Sequence, residues 1–470
     1  MARTARTART NILNEFAEVD LGDDRRAKRL NKIVERVDAA PALTFPRMME
    51  DDAELEGFYR FIRNEAVTYE QLLAPHRRAT VERISAFKEV LVVHDTTEVS
   101  YRGEREGLGR LNTAGSGFHA HISLATAVQG PRSPLGVLAV EPWARKGPTP
   151  TALLKAKKVT KGEYLALPRE QDRWWRSVAA VEEVAGHATS IIHVMDSDAD
   201  DFDLMNRMSA AGLRWVVRLC YDRRTTDGEK TKQFVAEKRV VVKRNVQLSR
   251  RRRQPGGDKR VRQRARDQRE AQLGISASHV TWKRPPDRPA SARTLAVNIV
   301  RVWELKPPSG VDPVEWLLIT TEPIDTEEDI LRIVDYYRER WVIEEYFQAL
   351  KTGCALEKRQ LESWDTLLKA MAIFLPVAWN LLRLRTLSRD PSTTQLSART
   401  LLSRIELDVL ARASKKPLPS SPTVGDVTLA IARLGGHIAN NGPPGWQVLG
   451  RGYQDLLMMV AGYKLALAEK

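Results

Sequence analysis

Hydrophobic and polar positions divide the chain into three regimes. Over residues 11–88 the apolar residues recur with helical spacing. Leu30, Ile33, Val34 and Val37 follow i, i+3, i+4, i+7, which predicts an amphipathic helix capped by Asp23 or Asp24. Leu55, Phe58, Tyr59 and Ile62 predict a second helix. From residue 90 short apolar runs replace that period: 90–93, ending in His94-Asp95, then 122–128, 137–140, 191–195 (ending in Asp196), 215–219 and 316–320. Each reads as a strand, with Gly130-Pro131 in a turn and a helix over 201–211 stopped by Gly212. Residues 220–312, with Pro285-Pro286 and Pro307-Pro308, read as a strand-rich insertion. A long helix is expected from Glu327 to about Lys351, and mostly helix beyond Ser363. The last helix presents Leu449, Tyr453, Leu456, Leu457, Val460 and Leu467 on one broad side. Strands mixed with helices predict an α/β domain between helical ends.

Charge adds a partner class. The 470 residues carry 75 Lys and Arg against 60 Asp and Glu, a net charge of +15, which suits a polyanion, nucleic acid first and an anionic membrane second. Lys243 to Arg269 holds twelve basic against two acidic residues. It reads as a solvated loop held open by repulsion, and such a loop can also serve on DNA. The first helix sets Arg25, Arg26, Lys28, Arg29, Lys32 and Arg36 on its polar side, which suits DNA phosphates as well as plain solvation. Hydrophobic residues make up 42%, enough for a core and against wholesale disorder. No window holds about 18 uninterrupted apolar residues, so no membrane span is expected. The start repeats Ala-Arg-Thr three times and reads as a basic arm rather than a secretory signal. Cys220 and Cys354 form neither a disulfide framework nor a zinc spacing, which fits a reducing cytoplasm.

Chemistry is sought where carboxylates meet strand ends, because ligands gather there in open α/β sheets. Asp95 and Asp196 qualify, although an Asp after a strand commonly serves as a turn residue or cap. Tyr337, Arg340, Glu344 and Lys351 fall within an arc of about 60° on a continuous helix, flanked by Trp341 and Phe347, while Glu345 points about 100° away from Glu344. An aromatic-bordered charged stripe suits a wet cleft better than a surface ion-pair network. Three such carboxylates brought together form a site for Mg²⁺, and two ions serve phosphoryl transfer. Arg340 and Lys351 then neutralise neighbouring phosphates, with Tyr337 as a hydrogen-bond donor. His119 and His121 alternate along a strand without a third ligand and read as strand filler. Gly103, Gly107 and Gly109 lack the context of a phosphate loop.

The spacing Tyr337-x2-Arg340-x3-Glu344-x6-Lys351, with His94-Asp95-Thr96-Thr97, resembles the Tyr-Arg-Glu-Lys branch of the bacterial insertion-sequence DDE transposases. The likeness extends through Leu21 to Arg26, Tyr59 to Asn64, Trp316 to Pro323, Lys416 to Pro419 and Leu434-Gly435-Gly436. It implies an RNase H-like catalytic core with a β-strand-rich insertion, flanked by helical N-terminal and C-terminal domains. Expected boundaries are 1–72 for end recognition, 73–369 for catalysis (220–312 the insertion) and 370–470 for dimerisation. The resemblance makes Asp95, Asp196 and Glu344 the metal-binding triad for two Mg²⁺ ions, which Mn²⁺ can replace. Tyr337, Arg340, Lys351, Arg218 and Trp341 become DNA contacts, and Trp316 stacks on a base flipped from a hairpinned end. Implied partners are double-stranded DNA, as transposon ends and target, and a second copy in a homodimer. Implied activity is cut-and-paste transposition: nick, hairpin, hairpin opening and strand transfer. Two departures stand out: the run Arg250 to Arg253 has no counterpart, and Asp198 competes with Asp196 as a ligand. A DNA-binding protein that does not cut and a general nuclease are the alternative readings.

Overall fold

A computed structural model describes residues 12–468 apart from 114, 129–132, 149, 161–162, 164–168, 187–188, 249–266, 287–291, 390 and 439–443. The Ala-Arg-Thr repeat, Gly130-Pro131 and the run Arg250 to Arg253 lie outside the described residues. The chain divides into two compact units, one of Met1–Val90, Asp95–Ser190 and Trp341–Lys470, the other of Leu91–His94 and Ile191–Arg340.

The helical period at the N-terminus forms as expected in the first unit. In α1 (Asp24–Ala39) Leu30, Ile33, Val34 and Val37 are buried, and Asp23 caps the helix by accepting from the Arg25 N–H. In α2 (Asp52–Ile62) Phe58, Phe61 and Ile62 are buried, and the Asp51 carboxylate accepts from Glu54 N–H at 2.7 Å. Thr68 and Gln71 form a reciprocal cap for α3 (Tyr69–Ile84). β1 (Glu89–Tyr101), β2 (Gly109–Arg110), β3 (Ser116–Ala127) and β4 (Pro134–Trp143) follow, β3 pairing antiparallel with both β2 and β4. α4 (Arg173–Ala185) buries Trp174, Val178 and Val181.

At the C-terminal end of this unit α8 (Trp364–Arg389) is long and apolar enough to cross a membrane, although Lys369 and Asn380 break its apolar run. Its apolar window is 89% buried inside the protein, and Leu367, Met371, Phe374, Trp379 and Leu382 are fully buried, so it is a core helix. Asn380, Lys369 and Arg385 interrupt its apolar surface and are buried too. α9 (Arg404–Ala413), α10 (Val424–Leu434) and α11 (Trp446–Ala468) complete the unit. α10 and α11 cross at Gly435 and Gly452: a Cβ on Gly452 would stand 1.7 Å from the Ile431 carbonyl oxygen.

The second unit is a mixed sheet in the order β1-β5-β6-β10-β9-β8-β7, where Leu91–His94 are its share of β1. β5 (Ser190–Met195) and β6 (Arg214–Arg218) run parallel, joined through α5 (Phe202–Ala210). β10 (Glu315–Thr320) is antiparallel to β6, and β9 (Thr294–Glu304), β8 (Arg269–Lys283) and β7 (Val242–Leu248) extend the sheet antiparallel. The strand-rich stretch 220–312 is therefore hydrogen-bonded in register to the strand that follows it. α6 (Glu327–Glu339) ends this unit's helices.

Two elements differ from expectation. β1 does not end at Asp95: its burial changes there from continuous to alternating, with Thr97, Val99 and Tyr101 inward. A run of apolar residues marks only the stretch covered on both faces, so the one-sided continuation escaped it. The helix from Glu327 does not run unbroken to Lys351. Arg340 N–H bonds the Tyr337 carbonyl in a tightened turn, α7 (Trp341–Gln348) follows, and residues 349–353 widen into a π-helical turn in which Cys354 N–H reaches Ala349 O at 2.8 Å. A uniform advance of about 100° per residue holds only on an unbroken α-helix, so the single stripe does not extend to Lys351.

Candidate active site

The second unit gathers five of the singled-out residues. β5 and β6 pair Met195 with Val217, so Asp196 and Arg218 leave adjacent parallel strands side by side. Arg218 stands opposite Leu318 on β10, and Trp316, two residues before Leu318, projects from the same face as both. From α6, Tyr337 brings its ring edge-on to Trp316, with centroids 5.7 Å apart. The Arg218 guanidinium hydrogen-bonds the Tyr337 phenol. Burial raises that phenol above its ordinary value, against the pull of Arg340 and Arg218 and with the Asp196 charge adding to the rise. Tyr337 is thus a neutral O–H donor at neutral pH. Arg340, which caps α6, is 8% exposed. One carboxylate, two guanidinium groups, a phenol and an indole meet at the ends of three strands and a helix, an arrangement that suits phosphodiester groups.

The acidic residues after β5 take separate roles. Asp196 caps the turn 197–199, its Oδ1 accepting from Asp198 N–H at 2.8 Å. Asp198 is exposed. Asp200 is buried: its carboxylate takes the Cys220 and Tyr221 N–H groups at 2.6 and 2.7 Å and pairs with Arg223 at 2.5 Å. It ties down the chain after β6. Asp201 caps α5.

The first unit holds the others. Asp95 is half-buried in mid-strand, its Oδ1 accepting from Thr96 N–H at 2.7 Å. Glu344 is half-buried on α7, where the neighbouring Glu345 pairs with Arg385 of α8 at 3.0 Å. Trp341 is 54% exposed. Lys351 stands 3.9 Å from Glu357, and burial holds its ammonium below the ordinary lysine range while Glu357 and Glu98 pull it up. This acidic surrounding escaped the sequence because Glu98 and Glu357 are more than 250 positions apart. Arg25 is exposed and paired with Asp23, whereas Arg26 donates to the Leu21 carbonyl at 2.8 Å. Arg36 pairs with Glu50 and Glu54, which removes one cation from the basic side of α1.

His119 and His121 pack against aromatic rings. His119 stacks on Trp143 at 5.0 Å, and buried His121 lies edge-on to Trp174 at 4.5 Å. Gly107 packs against Trp364.

Carboxylates are the hard oxygen donors that Mg²⁺ and Mn²⁺ take, so the chemistry of Asp95, Asp196 and Glu344 fits such ions. Among the described residues no three His, Cys, Asp or Glu side chains stand together as a compact ligand cluster.

Residues 9–67 match the family model described as transposase DNA-binding, and residues 176–400 match the one described as transposase DDE domain. The second match takes in Asp196, Arg218, Trp316, Tyr337, Arg340, Glu344 and Lys351, and Asp95 precedes it. Among solved structures the chain is similar to a piggyBac transposase synaptic complex with hairpin DNA. The two share 9% identity at a TM-score of 0.38, over 94% of this chain and 73% of that one, a likeness too slight to carry an argument.

Proposed function

The chain carries a transposase DNA-binding domain and a transposase DDE domain and is a DDE transposase, an enzyme that acts on DNA; from that premise we propose that it performs cut-and-paste transposition. The observation that carries the reading is the meeting of Asp196, Arg218, Trp316, Tyr337 and Arg340 in one unit. On this reading the chain belongs to the bacterial insertion-sequence branch with the Tyr-Arg-Glu-Lys signature, resembling the transposase of transposon five, and works at the nucleoid. Its catalytic core, residues 73–369, is RNase H-like with 220–312 as the β insertion.

Asp95, Asp196 and Glu344 are the ligands we assign to two divalent ions, Mg²⁺ or Mn²⁺. When bound, such ions favour the attacking oxygen and offset charge on the leaving one. Arg218 and Arg340 hold phosphates flanking the scissile bond, each through a planar fork of donors. Tyr337, kept protonated, donates to a phosphate oxygen. Lys351 is a further phosphate contact once it turns from Glu357. Trp341, with more than half its surface in solvent, offers an indole face to the DNA. Trp316 takes a base extruded from the end, replacing the stacking that base has lost.

Four in-line attacks on phosphodiesters complete the reaction. Water nicks the element end, the freed 3′-hydroxyl attacks the opposite strand to form a hairpin, a second water opens it, and the 3′-hydroxyls join target DNA. Residues 1–72, with Arg25 and Arg26 on α1, recognise the ends, and residues 370–470 bring two copies together on them.

The test uses the purified full chain with Mg²⁺ or Mn²⁺ and DNA carrying its own element's ends. Double-strand breaks at the ends, abolished by Asp95→Ala and by Glu344→Ala, are expected. Cleavage that survives Asp95→Ala overturns the triad, and equal cutting of unrelated DNA overturns end specificity.

A further inference from the structure

Beside Asp95 the first unit contains a polar assembly that the reading above does not use. Thr96 sits next to Asp95 in β1, and its hydroxyl has two partners from other elements. The His121 Nδ1 of β3 lies 2.9 Å away, and the Arg173 Nε of α4 lies 3.2 Å away. Arg173 is 8% exposed and His121 is fully buried. An arginine Nε only donates, so the Thr96 oxygen accepts from it. His121 is held neutral by burial and by the nearby Arg173 and Arg176 charges, so its Nδ1 accepts a hydrogen bond from the Thr96 hydroxyl. The order is Arg173 to Thr96 to His121, with every donor direction set.

The two terminal groups are themselves immobilised. Arg173 packs against the rings of Trp143 and Trp174 at 5.5 and 5.4 Å and donates to the Glu170 carbonyl at 2.9 Å. His121 lies edge-on to the same Trp174 ring. Thr96 is half-buried, yet its hydroxyl is met by a buried cation and a buried imidazole. Placing an arginine where water is scarce costs several kcal/mol unless its donors are used, so the arrangement secures something specific.

What it secures is the backbone at Thr96, whose N–H donates to Asp95 Oδ1 at 2.7 Å. A fixed N–H fixes the rotation of that carboxylate. We propose that Arg173 and His121, acting through Thr96, are positioning residues that hold the Asp95 carboxylate in the orientation that receives a divalent ion. The inference rests on the assignment of Asp95 as a ligand, and it names residues outside the signature as determinants of that ligand's geometry.

The test compares the full-length protein with Thr96→Val, Thr96→Ser, Arg173→Lys and Asp95→Asn. Free Mn²⁺ is followed by electron paramagnetic resonance in a titration without DNA, and end-DNA binding is followed by gel shift without metal. Thr96→Val keeps the shape and the backbone N–H but loses the hydroxyl. It is expected to weaken Mn²⁺ binding about tenfold or more, the scale seen when groups behind a ligand are removed. Thr96→Ser is expected to restore binding, and end-DNA binding is expected to stay unchanged throughout. Arg173→Lys keeps the charge but loses the planar Nε donor, and a folded Arg173→Lys protein with weakened Mn²⁺ affinity supports the clamp even where Thr96→Val fails to fold. Wild-type Mn²⁺ affinity in either folded variant, beside an Asp95→Asn protein that has lost it, overturns the positioning role alone. Wild-type affinity in Asp95→Asn instead overturns the underlying ligand assignment.

Discussion

Replacing Glu15 with Gln tests how the N-terminal segment is fastened inside the first unit. Glu15 is fully buried. Its carboxylate meets His76 Nδ1 at 2.5 Å and Arg83 Nη1 at 2.7 Å. Burial alone raises a carboxyl, but the His76 bond and the Arg83 charge outweigh it and bring Glu15 down to about 2 from 4.5. Burial holds His76 below its ordinary value, and its Nε2 accepts from Val137 N–H at 3.1 Å. His76 is therefore a neutral donor, and the cation that balances Glu15 is Arg83, itself stacked on Trp379 at 4.1 Å.

A carboxyl at about 2 against 4.5 contributes about 3 kcal/mol near neutral pH. That agrees with the roughly 3–5 kcal/mol lost when one partner of a buried pair is removed. Glutamine is nearly isosteric but turns an NH₂ toward donors. Urea unfolding of the full chain, read by amide exchange in peptides covering Tyr69–Ile84 and Pro134–Trp143, measures the loss. Both groups make the wild type weaker in acid. His76, favoured neutral when folded with Glu15, Arg83 and Arg77 around it, contributes fully above 6.5 and loses that contribution below it. Glu15 contributes fully above 4.5 and loses its contribution as pH falls toward about 2. The gap between wild type and Glu15→Gln should close over that second interval. A variant within about 0.5 kcal/mol of wild type near neutral pH, the range of an ordinary surface change, would refute the buried-pair reasoning.

Three further outcomes are expected. Arg359, fully buried and brought down to about 10 by burial, donates to the carbonyls of Pro41, Leu43 and Cys354, so Arg359→Met should lower the urea midpoint by the equivalent of about 3 kcal/mol or more. Gly452→Ala drives a methyl into the Ile431 carbonyl, which should cost about 1–3 kcal/mol or more in thermal melts and separate α10 from α11. On the proposed hairpin route, Trp316→Ala should leave the first nick intact in denaturing gels and lower hairpin yield, by about tenfold if one stacked base is worth about 1–3 kcal/mol.

Much of the architecture was legible in local patterns. Helical spacing in α1 and α2, strand runs over β3 to β6 and β10, the helix before Gly212 and the cap at Asp23 all form, because period and capping chemistry act over a few residues. Tyr337, Arg340 and Asp196, separated in the sequence, meet in the unit that the strand order builds. What stayed hidden depends on neighbours distant along the chain. The continuation of β1 past Asp95 follows from its one-sided cover, and the apolar α8 is core because the rest of its unit surrounds it.

The sequence by itself determined many of the helix and strand segments, the basic balance and the order of the acidic and basic residues along the chain. Only the tertiary structure decided which of several similar residues are already in use: Asp200 on the chain after β6, Glu345 on Arg385, Arg36 on Glu50 and Glu54. It also decided that Lys351 sits among carboxylates and that the helix changes pitch after Arg340. The physical reason is range: capping and periodicity are written within one or two turns, whereas the burial and pairing of a charge depend on whatever the folded chain brings within a few ångströms of it.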